Sequence, residues 1–109
     1  MADQTFYRLC SRNLSANQFR SDRDRGSPLL DPEREAEWSG VSIWETEQQA
    51  VSRSNKAPGT RIYVAELHVP TDGSIEFRRT IPELDGHHTI WAAPDQILDL
   101  VRYKIERLR

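Results

Sequence analysis

The stretch TRIYVAELHV, residues 60–69, is the longest candidate β-strand in the sequence. Successive side chains of a strand point to opposite faces, so the odd-numbered residues from Tyr63 to Val69 share one face. The even-numbered residues from Ile62 to His68 share the other face, which begins apolar and ends polar. We therefore expect a strand that is packed on one face and only partly covered on the other.

The segment after this strand contains a turn signal. Asp72-Gly73 is a pair typical of two-residue hairpin turns, and residues 74–80 alternate again, with Ile75 and Phe77 on one side. The pattern predicts that residues 60–69 and 74–80 pair as an antiparallel hairpin.

The N-terminal part of the chain reads as a strand followed by polar connections. Residues 5–10 are rich in strand-forming types. Ser15 and Gln18 have the spacing of a capping box, which predicts a short helix beginning at Ser15. Glycine and proline punctuate the polar stretch that follows, so we expect a loop over residues 25–37.

Two further strand-and-helix pairs follow the same logic. Residues 40–44 favour a strand, and Thr46 with Gln49 forms a second capping box that predicts a helix of two to three turns ending before Pro58. Asp85-Gly86 predicts a turn into a strand over residues 87–92, and Pro94 suits the first turn of a helix. Apolar residues then recur at helical spacing to the C-terminus, at Ile97, Leu98, Val101, Ile105 and Leu108.

Together these elements predict one domain over residues 1–109 of the α+β class. We expect a small antiparallel sheet with short helices and a C-terminal amphipathic helix packed on the sheet.

Composition restricts the partners and the compartment. The formal net charge of −2 gives no overall basic field, so binding to nucleic acid is not indicated. No apolar run approaches the length of a membrane span, and the single cysteine, Cys10, has no internal partner for a disulfide. We expect a cytoplasmic protein that does not enter membranes, with Cys10 as a half-buried structural thiol.

Strong catalytic motifs are absent from the sequence, which leaves His87 and His88 as the most conspicuous candidates. Adjacent residues of a strand face opposite ways, so the two imidazoles cannot both bind one metal ion unless they lie in a loop. One of them could act as a general acid or base or bind a ligand. Alternatively, one packs at the turn beside Gly86 and the other is solvated.

Three segments together resemble a known fold. They are Phe6-Tyr7-Arg8 in the first strand, residues 40–44 followed by Thr46 and a helix carrying Ala50, and residues 62–67 of the long strand. In this order they resemble the compact ADP-ribosyltransferase superfamily, whose relatives include the RES-type bacterial toxins that consume NAD. The resemblance implies a domain that cleaves NAD or transfers ADP-ribose, as a toxin or effector.

The resemblance also implies roles for individual residues. Arg8 matches the arginine that holds NAD phosphate, and Ser42 matches the serine that shapes the nicotinamide pocket. The glutamate that steadies the ribosyl cation would be Glu66 or Glu76, and His87 or His88 would join the pocket, as histidines do in other branches. Aromatic walls would come from Tyr7, Tyr63 or Trp44. The implied ligand is NAD or an ADP-ribose-like nucleotide.

A second function class remains open. The chain would then be a non-catalytic interaction domain that binds a protein partner through a sheet edge, the arginine-rich end of the last helix or a patch centred on a tryptophan. The two hypotheses differ in the surface that they require. The first needs Arg8, Ser42 and a glutamate in one cleft, and the second needs an exposed apolar patch.

Overall fold

A computed structural model describes residues 2–109. The strands are β1 Asp3–Cys10, β2 Val41–Trp44, β3 Arg61–Pro70, β4 Glu76–Arg78, β5 His87–Trp91 and β6 Val101–Leu108. The helices are α1 Glu35–Ser39, α2 Glu47–Val51 and α3 Pro94–Asp99, with 3₁₀ turns at Ala16–Phe19 and Pro32–Arg34. All six strands form one antiparallel sheet in the order β4-β5-β2-β1-β3-β6, which confirms the α+β class.

The sheet carries an apolar cluster on each face. The first face is built on Phe6, Ile43, Leu67 and Ile90, and the second face on Trp44, Ala50 and Val64. The alternation expected in residues 60–69 is confirmed, because Leu67 packs in the first cluster and Val64 in the second. A sheet that is apolar on both faces needs cover on both sides.

Short helical segments supply that cover. Phe19 of the first 3₁₀ turn and Ile97 of α3 are fully buried in the cluster of the first face. Ala50 of α2 is fully buried in the cluster of the second face. No helix in residues 2–109 is both long and apolar enough to cross a membrane.

The middle of the sheet is partly open between β1 and β2. These neighbouring strands share a single register pair, Tyr7 with Trp44, whereas β1 and β3 pair over eight positions, from Asp3 with Pro70 to Cys10 with Tyr63. The residues of β1 that follow Tyr7, from Arg8 to Cys10, therefore have no paired residue in β2. The gap that results lies at the centre of the fold.

The predicted hairpin between residues 60–69 and 74–80 is wrong. Both edges of β3 are occupied, one by β1 and the other by β6, so the segment after the turn finds no free edge there. It pairs instead as β4 with β5 at the far end of the sheet. The Asp72-Gly73 turn itself forms, since Asp72 Oδ1 accepts from Ser74 N at 2.9 Å and Gly73 has φ of 88°.

The predicted C-terminal helix is correct only at its start. It begins at Pro94 and ends at Asp99, and the chain then enters β6, which pairs with β3 from Val101 to Leu108. Along residues 101–108 only Val101 and Ile105 are half-buried, and the other residues of the strand are exposed. Pairing with residues 101–108 satisfies a row of backbone hydrogen bonds on the β3 edge that a helix would leave unmade. This segment therefore forms a strand in spite of its helical spacing.

The smaller helical predictions had mixed outcomes. The Thr46 and Gln49 capping box is present, although α2 ends at Val51 and is shorter than expected. At Ser15 the side chain makes no capping hydrogen bond, because Gln18 N donates to the backbone oxygen of Ser15 at 3.2 Å. The Gln18 side chain bonds to Ser11 and Asn13, and only a 3₁₀ turn forms. The expected loop over 25–37 contains the second 3₁₀ turn and the beginning of α1.

Candidate functional site

A cleft of about 390 Å³ opens on the second face where β1 and β2 diverge. Its polar and aromatic lining consists of Arg8, Glu37, Ser42, Trp44, Arg53 and His87. The apolar part of the wall includes Leu9, Ile81 and Leu84. Small-molecule sites have this size and this mixture of apolar walls with a few convergent polar groups.

Arg8 bridges the gap between the two strands. Its Nη1 donates to the backbone oxygen of Ser42 at 2.8 Å, and its Nη2 donates to the backbone oxygen of Gln18 at 3.3 Å. No carboxylate in residues 2–109 lies within 4.0 Å of the guanidinium. Burial lowers the pKa of Arg8 to about 10, which still leaves the side chain charged at neutral pH. A positive charge without an anionic partner therefore sits at the cleft.

Ser42 and His87 meet across β2 and β5. Ser42 Oγ lies 3.0 Å from His87 Nε2, and the ring of His87 packs edge-on to Trp44 with 4.9 Å between centroids. Register explains the contact, because Trp44 pairs directly with His87 and so both lie on the second face with Ser42. His87 is 2% exposed, and burial lowers its pKa, so the imidazole is neutral at neutral pH.

Glu37 brings a carboxylate to the cleft from α1. Its Oε1 lies 3.7 Å from Nη1 of Arg34, on the preceding turn of the chain. Its Oε2 is buried and makes no hydrogen bond with the protein. The negative charge of Glu37 raises the pKa of His87 and so offsets part of the lowering that burial causes. The carboxylate is thus held near the imidazole with one oxygen unpaired.

Three buried polar atoms of this cleft lack a hydrogen-bond partner: Arg8 Nε, Glu37 Oε2 and His87 Nδ1. Buried polar groups in native proteins are almost always paired, because an unpaired one costs about 1–3 kcal/mol. The three residues that carry these atoms line a single cleft, which is typical of a site whose ligand or bound water completes the hydrogen bonding.

Local sequence positions His87 in a definite way. Gly86 has φ of 76°, which favours glycine, and its carbonyl accepts from Glu45 N at 2.9 Å. A Cβ at Gly86 would overlap the side chain of Gln49, whose amide already caps α2 and contacts Asp85. The turn, the capping box and the entry into β5 therefore depend on one another.

Of the residues singled out from the sequence, Arg8, Ser42 and His87 line the cleft together. Of the three aromatic residues considered for its walls, Trp44 lines the cleft, and Tyr7 and Tyr63 do not. The expected separation of the histidine pair is also observed: His87 lies on the second face and His88 on the first, where its ring packs 4.8 Å from that of Phe6. His88 Nδ1 lies 3.6 Å from Glu45 Oε2, and His88 does not line the cleft.

The two glutamates singled out from the sequence do not converge on the cleft. Glu66 lies opposite Tyr7 in the sheet and contacts His68, with Oε2 and Nε2 2.7 Å apart. Tyr7 stands between Glu66 and Trp44 in the row of paired residues, so Glu66 is two strands from Trp44, and it does not line the cleft. Glu76 is on β4, exposed, 3.6 Å from Arg78 Nε. Its strand lies at the sheet edge, far in strand order from β1.

Tyr63 also lies outside this cleft. Its hydroxyl donates to Glu106 Oε1 at 3.2 Å, because the two residues face each other in the β3–β6 ladder. It lines a neighbouring cleft instead, and the first cleft and this neighbour have Leu9 and Arg53 in common.

Sequence reasoning missed Glu37 and Arg53. Glu37 falls in the segment assigned to a loop, yet the helix-start signal was present: Asp31 Oδ1 accepts from Glu33 N at 3.0 Å, with Pro32 in the first turn. Reading Asp31-Pro32 as an N-cap and first-turn proline would have predicted the helix that carries Glu37. Arg53 carries no local signal of its own.

Within residues 2–109, no three histidine, cysteine, aspartate or glutamate side chains are grouped as a metal site would require. Comparison of the chain with family models, with curated proteins and with solved structures returned no match.

Proposed function

We propose that the cleft between β1 and β2 binds NAD and that the chain cleaves the bond between nicotinamide and ribose, releasing ADP-ribose to water or to an acceptor. The observation that carries the proposal is that three residues lining one cleft with Ser42 each have a buried polar atom without a protein partner: Arg8 Nε, Glu37 Oε2 and His87 Nδ1. The resemblance to ADP-ribosyltransferases supports the same ligand, since Arg8 and Ser42 are the two residues that it matched.

The charges of the cleft suit such a ligand. NAD has an anionic pyrophosphate, which is complementary to Arg8 and Arg53, and flat rings that can pack on Trp44. Arg53 already lies 5.3 Å from the centroid of the Trp44 ring, at the rim of the cleft. The neutral His87 and the hydroxyl of Ser42 offer hydrogen bonds to the nicotinamide amide or the ribose.

Glu37 takes the role of the carboxylate in this proposal, in place of Glu66 and Glu76. As the bond from ribose carbon to nicotinamide nitrogen breaks, its electron pair leaves with nicotinamide and positive charge develops on the ribose. A carboxylate held close to that carbon stabilises charge that exists only in the transition state. Water then forms the new carbon–oxygen bond and gives up a proton, which the Glu37 carboxylate accepts.

The first experiment measures binding and turnover. A ligand at a hundred times its dissociation constant stabilises the folded state by about 2.7 kcal/mol, so millimolar NAD and ADP-ribose should raise the melting temperature. Release of nicotinamide from NAD, followed by chromatography, tests cleavage. The absence of both a melting shift and nicotinamide release at millimolar ligand would overturn the proposal.

A matched pair of variants tests the role of Glu37. Glu37→Gln removes the charge and keeps the shape, and Glu76→Gln makes the same change at an exposed position outside the cleft. We expect nicotinamide release to fall by about a hundredfold in Glu37→Gln, as for loss of a transition-state contact, and to stay at the wild-type rate in Glu76→Gln. Equal rates in the two variants would remove Glu37 from the mechanism.

A strand-adding protein partner is the second candidate function. The outer edge of β6 pairs with no strand of residues 2–109, and Tyr103 and Leu108 on that strand are 61% and 69% exposed. However, β6 also presents Arg102, Lys104 and Arg107, and charged side chains on an edge strand are the usual protection against such pairing. No tryptophan is among the large exposed apolar residues of the described chain. The cleft is therefore better supported.

A further inference from the structure

The second cleft lies directly beside the first and has a volume of about 470 Å³. Three segments form it: the end of β1 with residues 11–12, the residues after α2 from Arg53 to Lys56, and the start of β3 from Arg61 to Tyr63. Leu9 and Arg53 line both clefts, so the clefts adjoin and a ligand longer than one of them would reach the other across these two side chains.

The charged side chains that line the second cleft are all positive. Its lining contains four cations, Arg12, Arg53, Lys56 and Arg61, and no carboxylate. In residues 2–109 only Arg61 of these four has a carboxylate within 4.0 Å, namely Glu106 at 3.6 Å. The chain as a whole has a net charge of −2, so this concentration of cations does not follow from composition.

Nearby groups add to the positive potential. The Lys104 ammonium donates to the backbone oxygen of Arg12 and lies 5.6 Å from the centroid of the Tyr63 ring. Cys10 also lines the cleft, and burial raises the pKa of its thiol to about 11, so it brings no negative charge at neutral pH. Like charges that line one cleft repel one another, and an anion from outside relieves the repulsion.

We propose that the second cleft binds a phosphate monoester on the far end of the dinucleotide, so that the preferred ligand is the 2′-phosphorylated form, NADP, and not NAD. This inference rests on the proposed function, which places the nicotinamide end in the first cleft. NAD and NADP differ by one phosphate on the adenosine ribose. A doubly charged phosphate beside several cations gains charge-assisted hydrogen bonds that a ribose hydroxyl does not.

The test compares the affinities of the two dinucleotides by calorimetry in the full chain. We expect NADP to bind about tenfold or more tightly than NAD, with the preference shrinking as salt is raised, because the cations are exposed and therefore screened. The probe 2′,5′-ADP, which has the monoester and lacks nicotinamide, should bind and compete with NADP.

Variants locate the preference in the cleft. In the double variant Arg12→Gln/Lys56→Gln we expect the ratio of the two affinities to fall to about one, with the affinity for NAD changed by less than about twofold. Arg102→Gln is the control, because it removes an exposed cation of β6 that does not line either cleft. It should leave the ratio unchanged.

The outcomes separate this inference from the proposed function. Wild-type protein that binds NAD and NADP equally overturns the inference and leaves NAD binding intact. An equal loss of affinity for both dinucleotides in the double variant also overturns it, since the cations would then bind the pyrophosphate that the two ligands share. Wild-type protein that binds neither ligand overturns both proposals.

Discussion

His87 Nε2 lies 3.0 Å from Ser42 Oγ, and this contact joins β2 and β5 through two residues that are 45 positions apart in the sequence. One ring nitrogen is thereby occupied, and the other, Nδ1, is buried without a partner. The arrangement fixes the plane of the imidazole while leaving hydrogen-bonding capacity for a ligand. It also makes the contact accessible to measurement, since either partner can be removed by itself.

Ser42→Ala deletes the hydroxyl and keeps the backbone oxygen that accepts from Arg8. We expect a loss of about 1 kcal/mol in the free energy of unfolding, because a buried imidazole nitrogen then has no partner. Urea denaturation of Ser42→Ala, His87→Phe and the double variant gives the coupling energy. We expect about 1 kcal/mol of coupling. Additive single effects would show that the contact contributes nothing to stability.

The stability of the protein should fall in mild acid because of His87. Burial lowers its pKa below the ordinary value of 6.5, so the unfolded chain takes up a proton at a higher pH than the folded chain. The unfolded state then binds more protons, and stability decreases as pH drops below about 6.5. Above that pH, the stability that comes from keeping His87 neutral is fully present.

The measurement for this effect is a difference between two proteins. We expect the free energy of unfolding of the wild type minus that of His87→Gln to shrink from about pH 7.5 to about pH 5.5. His68 and His88 are present in both proteins, so their titration largely cancels. A difference that is constant or grows in acid would contradict the lowered pKa.

Gly86→Ala should be more destabilising than a similar change elsewhere. The backbone at residue 86 has φ of 76°, a left-handed conformation that strains alanine. The new Cβ would also overlap the side chain of Gln49. Gly59→Ala is the matched control, because Gly59 has φ of 84° and nothing lies within 4 Å of the added atom. We expect both variants to lose about 1 kcal/mol from backbone strain and Gly86→Ala to lose about 1–2 kcal/mol more from the overlap. Equal losses in urea would refute the steric part.

The sequence located strands well and their partners poorly. Strand-forming residue types indicated β1 and β2, alternation indicated β3 and the segment that contains β4, and a turn signal indicated the strand that is β5. Pairing depends on which sheet edges are free, and no local pattern contains that information. The hairpin after β3 failed for this reason, since β1 and β6 already occupy both edges.

The residues of the candidate site were also predicted only in part. Arg8, Ser42 and His87 were singled out in advance, and strand parity correctly separated His87 from His88. The carboxylate was not found, because Glu37 reaches the cleft only through a five-residue helix packed beside β2 and β5. Glu66 and Glu76 looked equally suitable in sequence, and only the sheet order shows that they lie elsewhere.

Hydrogen exchange distinguishes the strand β6 from the helix that the spacing favoured. β6 lies at a sheet edge, so every second backbone amide bonds to β3 and the others point outward to solvent. We expect alternating fast and slow exchange along residues 101–108 by NMR. The amides of β3 bond to strands on both sides and should be slow throughout its centre. An unbroken run of slow amides from residue 97 to residue 108 would instead mean that the helix continues.

Cys10 should react slowly with thiol reagents. Burial raises the pKa of its thiol to about 11, and the nearby charges of Lys104 and Arg8 only partly offset that effect. At about pH 8 the thiolate fraction is far below that of a free cysteine, whose pKa is about 8.5.

A higher pKa makes each thiolate more nucleophilic, which recovers part of the rate. We therefore expect the reaction of Cys10 with an aromatic disulfide reagent to be about ten- to a hundredfold slower than that of glutathione. Unfolding in urea should remove the difference, because the cause is burial. A native rate equal to that of glutathione would show a reactive thiol and would require Cys10 to be reconsidered as a functional group of the second cleft.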